Sequence, residues 1–117
     1  MEAVNNKKLY SEEEASLLMR VLGNSPKTRI IDFMMDNPLF DFTKKEIMET
    51  IGMSKRTLYK ELPDLEEHGI IKVSRKIGKA KLYRINMDHQ LIMSFRDFEM
   101  KLSLQEAEKE RVRESKQ

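Results

Sequence analysis

Between Thr43 and Gly69, in TKKEIMETIGMSKRTLYKELPDLEEHG, two helix starts stand a few turns apart, and the rest of the chain is read as organised around them. Thr43 and Glu46 form a T-x-x-E pattern. At that spacing a threonine hydroxyl and a glutamate carboxylate each satisfy a backbone N–H at a helix start. Ile47, Met48 and Ile51 give this short helix an apolar face, and Gly52 is placed to close it in a left-handed conformation. Ser54 then opens a second helix after a turn of a few residues, which is the spacing of a helix-turn-helix unit.

On the second helix Leu58, Leu62 and Leu65 recur at intervals of four and three, which marks the buried face. At roughly 100° per residue, Arg56 and Lys60 fall on the opposite face, with Thr57 and Tyr59 at its flanks. A helix that reads the major groove needs donors on that side, and its N-terminal residues make the contacts. The same face also fits a solvated side of a core helix. Pro63 breaks a local rule, since a proline inside a helix removes one hydrogen bond and crowds the preceding turn. A bend or loosening between Tyr59 and Pro63 is expected, or two short helical pieces.

Composition sets the outer limits. With 117 residues, no cysteine and 36% charged residues, one domain with a single hydrophobic core is the economical reading. No apolar run exceeds three residues, so neither a membrane span nor a signal-peptide core is expected, and the chain is expected to stay in the cytoplasm. The net charge of +2 predicts no nucleic-acid partner, but its distribution does: Ser54 to Arg84 holds nine basic residues against four acidic ones. Such an imbalance favours one face approaching a polyanion.

Upstream of the central unit, Met1 to Tyr10 shows no periodicity and reads as a tail. Ser11 with Glu14 forms another capping box, and Ala15, Leu18, Met19 and Leu22 line one face of a helix that Gly23 ends. Ser25 and Pro26 start the next helix, whose broad apolar face carries Ile30, Ile31, Phe33, Met34 and Met35 and which stops at Asn37-Pro38. Its methionines read as core filler, not as a metal or cofactor site. Leu39 to Phe42 reads as a brief extended segment able to add a small third strand.

Beyond Gly69 the pattern turns extended. Ile70 to Lys76 and Lys81 to Asn86 read as a β-hairpin whose loop contains Gly78, with Tyr83 and Ile85 toward the core. Lys72, Arg75, Lys76, Lys79, Lys81 and Arg84 lie here without an intervening acid. That is more than edge lysines need in order to block aggregation, and it points to phosphate contact. His68 reads as a polar helix-end residue and His89 as exposed, and two separated imidazoles do not make a metal site.

The pattern S-x-x-T-L-x-x-x-L-x-x-L-x-x-x-G-I-I, here Ser54, Thr57, Leu58, Leu62, Leu65, Gly69, Ile70 and Ile71, is followed by a basic hairpin ending in Y-x-I at Tyr83 and Ile85. Over roughly residues 25 to 86 it resembles the winged-helix domains of small MarR- and ArsR-like prokaryotic transcriptional regulators. The resemblance implies an α+β, mainly α fold: a winged helix-turn-helix with a two-stranded β-hairpin wing and additional N- and C-terminal helices. No cofactor and no metal are expected, because the chain departs from the metal-sensing regulators in having no cysteine and no clustered ligands. The expected divisions are an N-terminal tail and helix over 1–24, the winged helix over 25–87 and a C-terminal helix over 88–117.

On these grounds the expected partner is double-stranded DNA. The expected contacts are Ser54, Lys55, Arg56, Thr57, Tyr59 and Lys60 from the second helix, with Arg75, Lys76, Lys79 and Lys81 from the wing. From about Asp88 the chain reads as a long helix in which Leu91, Phe95, Phe98 and Leu102 form a narrow seam that Ile92, Met93 and Met100 broaden. That seam either folds back on its own domain or pairs two copies, and in the resembled regulators a terminal helix commonly builds the dimer. A homodimer is therefore expected, with no membrane partner; whether an effector ligand exists is left open. A protein-interaction module, or a non-specific architectural or plasmid- or virus-maintenance DNA binder, fits the same residues. No nucleophile with an oriented base, carboxylate pair or glycine-rich phosphate loop is visible, so no enzymatic activity is expected.

Overall fold

The computed structural model describes residues 19–20 and 23–115. Of the helix expected from Ser11 to Leu22, only Met19 and Arg20 are described, and both are helical; the expected tail before it lies outside the described residues. The chain then runs through α1 (Pro26–Asp36), α2 (Lys44–Ile51), α3 (Lys55–Glu67), β1 (Ile71–Ile77), β2 (Ala80–Ile85) and α4 (Gln90–Ser115). The result is a mainly helical α+β fold with one antiparallel hairpin.

Each short helix is fixed by its ends. Ser25 accepts the Thr28 N–H at 3.1 Å with Pro26 opening α1. Both halves of the capping box form at α2: the Glu46 N–H donates to Thr43 Oγ1 at 3.1 Å and the Thr43 N–H donates to Glu46 Oε1 at 2.8 Å. Gly52 closes α2 at φ +65°, a left-handed backbone that a side chain would strain. Ser54, two residues on, caps α3. These termini leave so short a turn that α2 and α3 must cross, and their inner faces meet over α1.

The core is made where those faces converge with the inner side of the hairpin. Ile30, Met34, Ile47, Leu58, Leu62, Ile71, Ile85 and Ile92 are fully buried, and Phe33, Met35, Phe42, Val73 and Phe95 pack around them. Arg29 is also buried, and its guanidinium donates to the Ile51 carbonyl, one of the acceptors that the end of α2 leaves unpaired. α3 continues unbroken through Pro63, so the two-piece alternative does not occur. Pro63 lies on the exposed side, where water can satisfy the carbonyl its missing N–H frees.

The hairpin register pairs Ile71 with Ile85 and Ile77 with Ala80, leaving Gly78 and Lys79 as a two-residue turn. Phe42 adds the small third strand as a single bridge to the far side of β2: its N–H donates to the Tyr83 carbonyl at 2.8 Å and its carbonyl accepts the Tyr83 N–H at 2.7 Å. Between Val73 and Arg75 the register slips, and Ser74 is the extra residue of a β-bulge. Consecutive strand residues normally point to opposite faces. Across this bulge both Ser74 and Arg75 reach one carboxylate, Asp41, which lies just before the bridge.

α4 leaves the body after the wing. Ile92 is fully buried and Phe95 packs on the core, but every residue from Ser103 to Ser115 is exposed. The helix is about 39 Å long at 1.5 Å per residue, which stretches the radius of gyration to 16.3 Å, against roughly 13 Å for a compact chain of this length. No helix among the described residues is long and apolar enough to cross a membrane.

Candidate nucleic-acid interface

The first turn of α3 sets the edge of the site. The Ser54 hydroxyl accepts the Thr57 N–H at 3.2 Å and donates to Thr57 Oγ1 at 2.9 Å. Its only proton is thereby used, so Ser54 acts as a cap rather than as a donor to a ligand, while the Thr57 hydroxyl keeps its proton. Arg56 and Lys60 are exposed on the outer face, opposite buried Leu58, Leu62 and Leu65, and Lys55 is exposed at the helix start. Beside them Pro26, Arg56, Thr57, Lys60 and Glu61 line a shallow hollow between α3 and the start of α1.

A cleft of about 370 Å³ separates α3 from the wing, lined by Thr43, Lys44, Lys45, Tyr59, Lys79, Ala80, Lys81 and Tyr83. Here the fold joins three segments far apart in sequence. The Lys44 ammonium sits 4.4 Å from the centre of the Tyr59 ring and 6.0 Å from that of Tyr83, and the Lys55 ammonium sits 5.3 Å from Tyr59. Cation–π attraction holds these amines without a counter-charge. Tyr83 forms the floor; burial, with the charges of Glu66 and Tyr59, raises its pKa, so its phenol stays protonated and able to donate.

Lys44 and Lys45 were not among the residues picked out from the sequence, yet the signal was present. Two lysines in the first turn of a helix oppose its dipole, where acidic residues are favoured.

The wing residues divide into two groups. Arg75 binds Asp41 through two bonds, Nε to Oδ2 at 2.8 Å and Nη2 to Oδ1 at 3.2 Å, and Ser74 donates to the same Oδ2 at 2.6 Å. The Arg75 guanidinium, then the Ser74 hydroxyl, lower the Asp41 pKa to about 2. Arg75, expected as a phosphate contact, is thus committed to anchoring the wing, and its charge is balanced. Arg84 likewise turns inward and donates to the Pro38 carbonyl at 3.2 Å.

Lys76, Lys79 and Lys81 remain exposed. Among the described residues, Lys44, Lys55, Arg56, Lys60, Lys76, Lys79 and Lys81 form no ion pair with a carboxylate. Beside the hollow that Arg56 and Lys60 line, charge is balanced internally. Lys27 bridges Asp64 at 2.7 Å and Glu61 at 3.8 Å, which lowers the Asp64 pKa chiefly through the Lys27 hydrogen bond.

The expected pairing seam on α4 sits differently from its sequence reading. Phe95 packs on its own core and Phe98 and Leu102 are half-buried, while Leu91 is partly open. A second apolar row on the far side is the open one: Met93, Met100 and Leu104 are 54%, 62% and 64% exposed. At 100° per residue these three fall within about 40° of one another. Among the described residues no cluster of side chains suited to a metal ion is found.

No family model and no curated protein sequence matches the chain. Among solved structures it is similar to the crystal structure of M. tuberculosis Rv0081, with a TM-score of 0.54 and 22% identity over 92% of this chain and 96% of that one. At that identity the likeness establishes the shared fold.

Proposed function

We propose that the chain binds double-stranded DNA with sequence preference, as a two-fold pair of copies, and regulates transcription by occupying its site. α3 enters the major groove with Arg56 and Lys60 toward base edges and Lys55 and Thr57 toward phosphates. The wing tip, Lys76 and Lys79, meets the flanking backbone. The cleft between them, with Lys44, Lys79, Lys81 and the Tyr83 hydroxyl, takes the sugar–phosphate strand that separates the two grooves.

The observation that carries this reading is the set of cations without an ion-pair partner on α3, in the cleft and on the wing, Lys44, Lys55, Arg56, Lys60, Lys76, Lys79 and Lys81, on a chain whose net charge is only +2. Lysines that face one another without carboxylates repel, and a polyanion removes that repulsion while releasing its own counterions. The likeness to the fold of Rv0081 agrees with this reading at the level of architecture alone.

The test is affinity for a random-sequence duplex as a function of salt, for the wild type and for Lys44→Ala and Lys79→Ala. Affinity should fall steeply with salt, and each variant should flatten the log–log slope by roughly one unit while binding all duplexes more weakly. Absence of salt-dependent affinity for any duplex would sink the proposal. An unchanged slope in Lys44→Ala would remove the cleft from the interface.

A further inference from the structure

Tyr83 carries a hydroxyl for which the fold supplies no bond. The residue is 3% exposed and its ring belongs to the core, yet among the described residues its phenol oxygen has no hydrogen-bond partner. No fully enclosed side-chain oxygen or nitrogen among the described residues lacks a partner, so this oxygen is the part of Tyr83 that reaches the surface, at the floor of the cleft between α3 and the wing. A phenylalanine would fill the same space without the cost of a nearly buried, unbonded polar group.

Three amines surround that donor. Lys44, Lys79 and Lys81 line the same cleft without an ion pair, while the fourth lysine, Lys45, pairs with Glu49 at 4.0 Å. No carboxylate lines the cleft. The Thr43 hydroxyl at its edge accepts the Glu46 N–H and keeps its own proton for a ligand. The site therefore offers protons and positive charge from its rim to its floor.

Its size and its residue types select a ligand class. A volume of about 370 Å³ lies within the range of small-molecule sites, about 300–1,000 Å³. Planar two-point recognition of a carboxylate is the chemistry of arginine, and no arginine lines the cleft, whereas a lysine ammonium binds phosphate as a point charge. One phosphate monoester carries about two negative charges. Three unpaired amines thus match two linked phosphoryl groups better than one.

We propose that this cleft is a binding site for a free diphosphate group, either inorganic or at the end of a larger small molecule, with the Tyr83 phenol donating to a phosphoryl oxygen and Lys44, Lys79 and Lys81 neutralising the pair. A phosphoryl oxygen of the DNA backbone offers the same chemistry to the same donors. Occupation by the free ligand excludes the strand, so affinity for DNA falls as the ligand rises. The site stands without the proposed DNA-binding function, and only this competition rests on it.

The test uses the full-length chain and sodium pyrophosphate, with inorganic phosphate and sodium chloride at matched ionic strength as controls. Pyrophosphate should shift the backbone amide signals of Lys44, Lys79 and Tyr83 and saturate at one equivalent per chain. Chloride should not shift them, and phosphate should bind at least tenfold more weakly. In Tyr83→Phe, affinity for pyrophosphate should fall roughly tenfold or more, as loss of one hydrogen bond to a charged group does. The melting temperature should not fall, because the deleted hydroxyl has no partner in the fold. Lys81→Ala, outside the core, should also weaken pyrophosphate binding. A lower melting temperature in Tyr83→Phe with unchanged pyrophosphate affinity would make the residue structural only and overturn the proposal.

A second arm adds pyrophosphate to the chain bound to a 40-base-pair random-sequence duplex. It should release the duplex where chloride of equal ionic strength does not, and Tyr83→Phe should need roughly tenfold more. Shifts that never saturate, or that chloride reproduces, would overturn the site as general attraction between charges. Equal affinity for inorganic phosphate would overturn the diphosphate assignment. If Tyr83→Phe weakens duplex binding while pyrophosphate does not saturate, the phenol serves the strand alone and the free-ligand proposal fails. Saturable binding that leaves the duplex in place would overturn the competition. If no duplex binds under any condition, the DNA reading fails, while the pyrophosphate titration still decides whether the site exists.

Discussion

Asp41 is a surface-loop carboxylate that holds two consecutive wing residues, and its consequences can be worked out with pH. A carboxylate lowered from an unfolded value of about 3.9 stabilises the native wing at every pH above that value, and the contribution is lost as pH falls through about 2. The wing should therefore stay anchored through mild acid. Asp41→Asn removes the charge at neutral pH. Backbone order parameters for Ser74 to Ile77 should fall in that variant, with the α1–α3 body unchanged, and the wild type should lose the same order only near pH 2. Rigid residues in the variant would show that the bulge alone shapes the wing. Arg56 has a different role, since no carboxylate pairs with it and it faces away from Leu58 and Leu62. Arg56→Ala should lower discrimination between selected and scrambled duplexes by about 1–3 kcal/mol with little change in melting temperature. Unchanged preference would transfer base reading to Lys60 or Thr57.

At the scale of elements, the seat of α4 beside α1 brings carboxylates together. Burial raises the pKa of Glu99, and the charges of Asp32 and Asp36 on α1 raise it further; burial also raises Asp36. A carboxylate whose folded value is raised favours the native state when protonated, and this contribution is lost as pH rises through the folded value. At neutral pH the contact is therefore strained, first by burial of charge and then by like charge. Glu99→Gln should stabilise the seat of α4 by up to about 1 kcal/mol, since solvent screening limits a half-exposed group. Thermal unfolding at pH 7 checks this, and the gain should shrink toward acid pH. The helix-turn-helix, by contrast, is over-determined, because each helix carries its own cap and its own apolar stripe. For that reason Thr43, Glu46, Gly52, Ser54 and the three leucines were all legible in the sequence, as was the bridge from the Leu39 to Phe42 segment.

For the whole molecule, assembly turns on which side of α4 is free. Phe95 serves its own core, whereas Met93, Met100 and Leu104 form a solvent-facing row beyond it. Pairing two such rows would contribute on the order of several kcal/mol by the area estimate, against the ordering cost of association. Met100→Glu should yield folded monomers with greatly reduced affinity for selected duplexes, seen as halved mass in light scattering at micromolar concentration. Phe95→Glu should instead lower the melting temperature. A monomeric wild type would overturn the pairing and leave the α3 assignment intact. The sequence by itself determined the helix starts and stops, the buried leucine face, the hairpin and the basic bias around them, because caps, glycine turns and periodicity are local and act within a turn or two of chain. Only the tertiary structure decided that Lys44 and Lys45 join Tyr59 and the wing in one cleft, that Arg75 is held by Asp41 and that Ser54 uses its proton internally. It also decided that the pairing seam read from spacing splits into an inner and an outer face. Each of these depends on which groups meet across the fold, and neither charge pairing nor burial is fixed until distant segments pack.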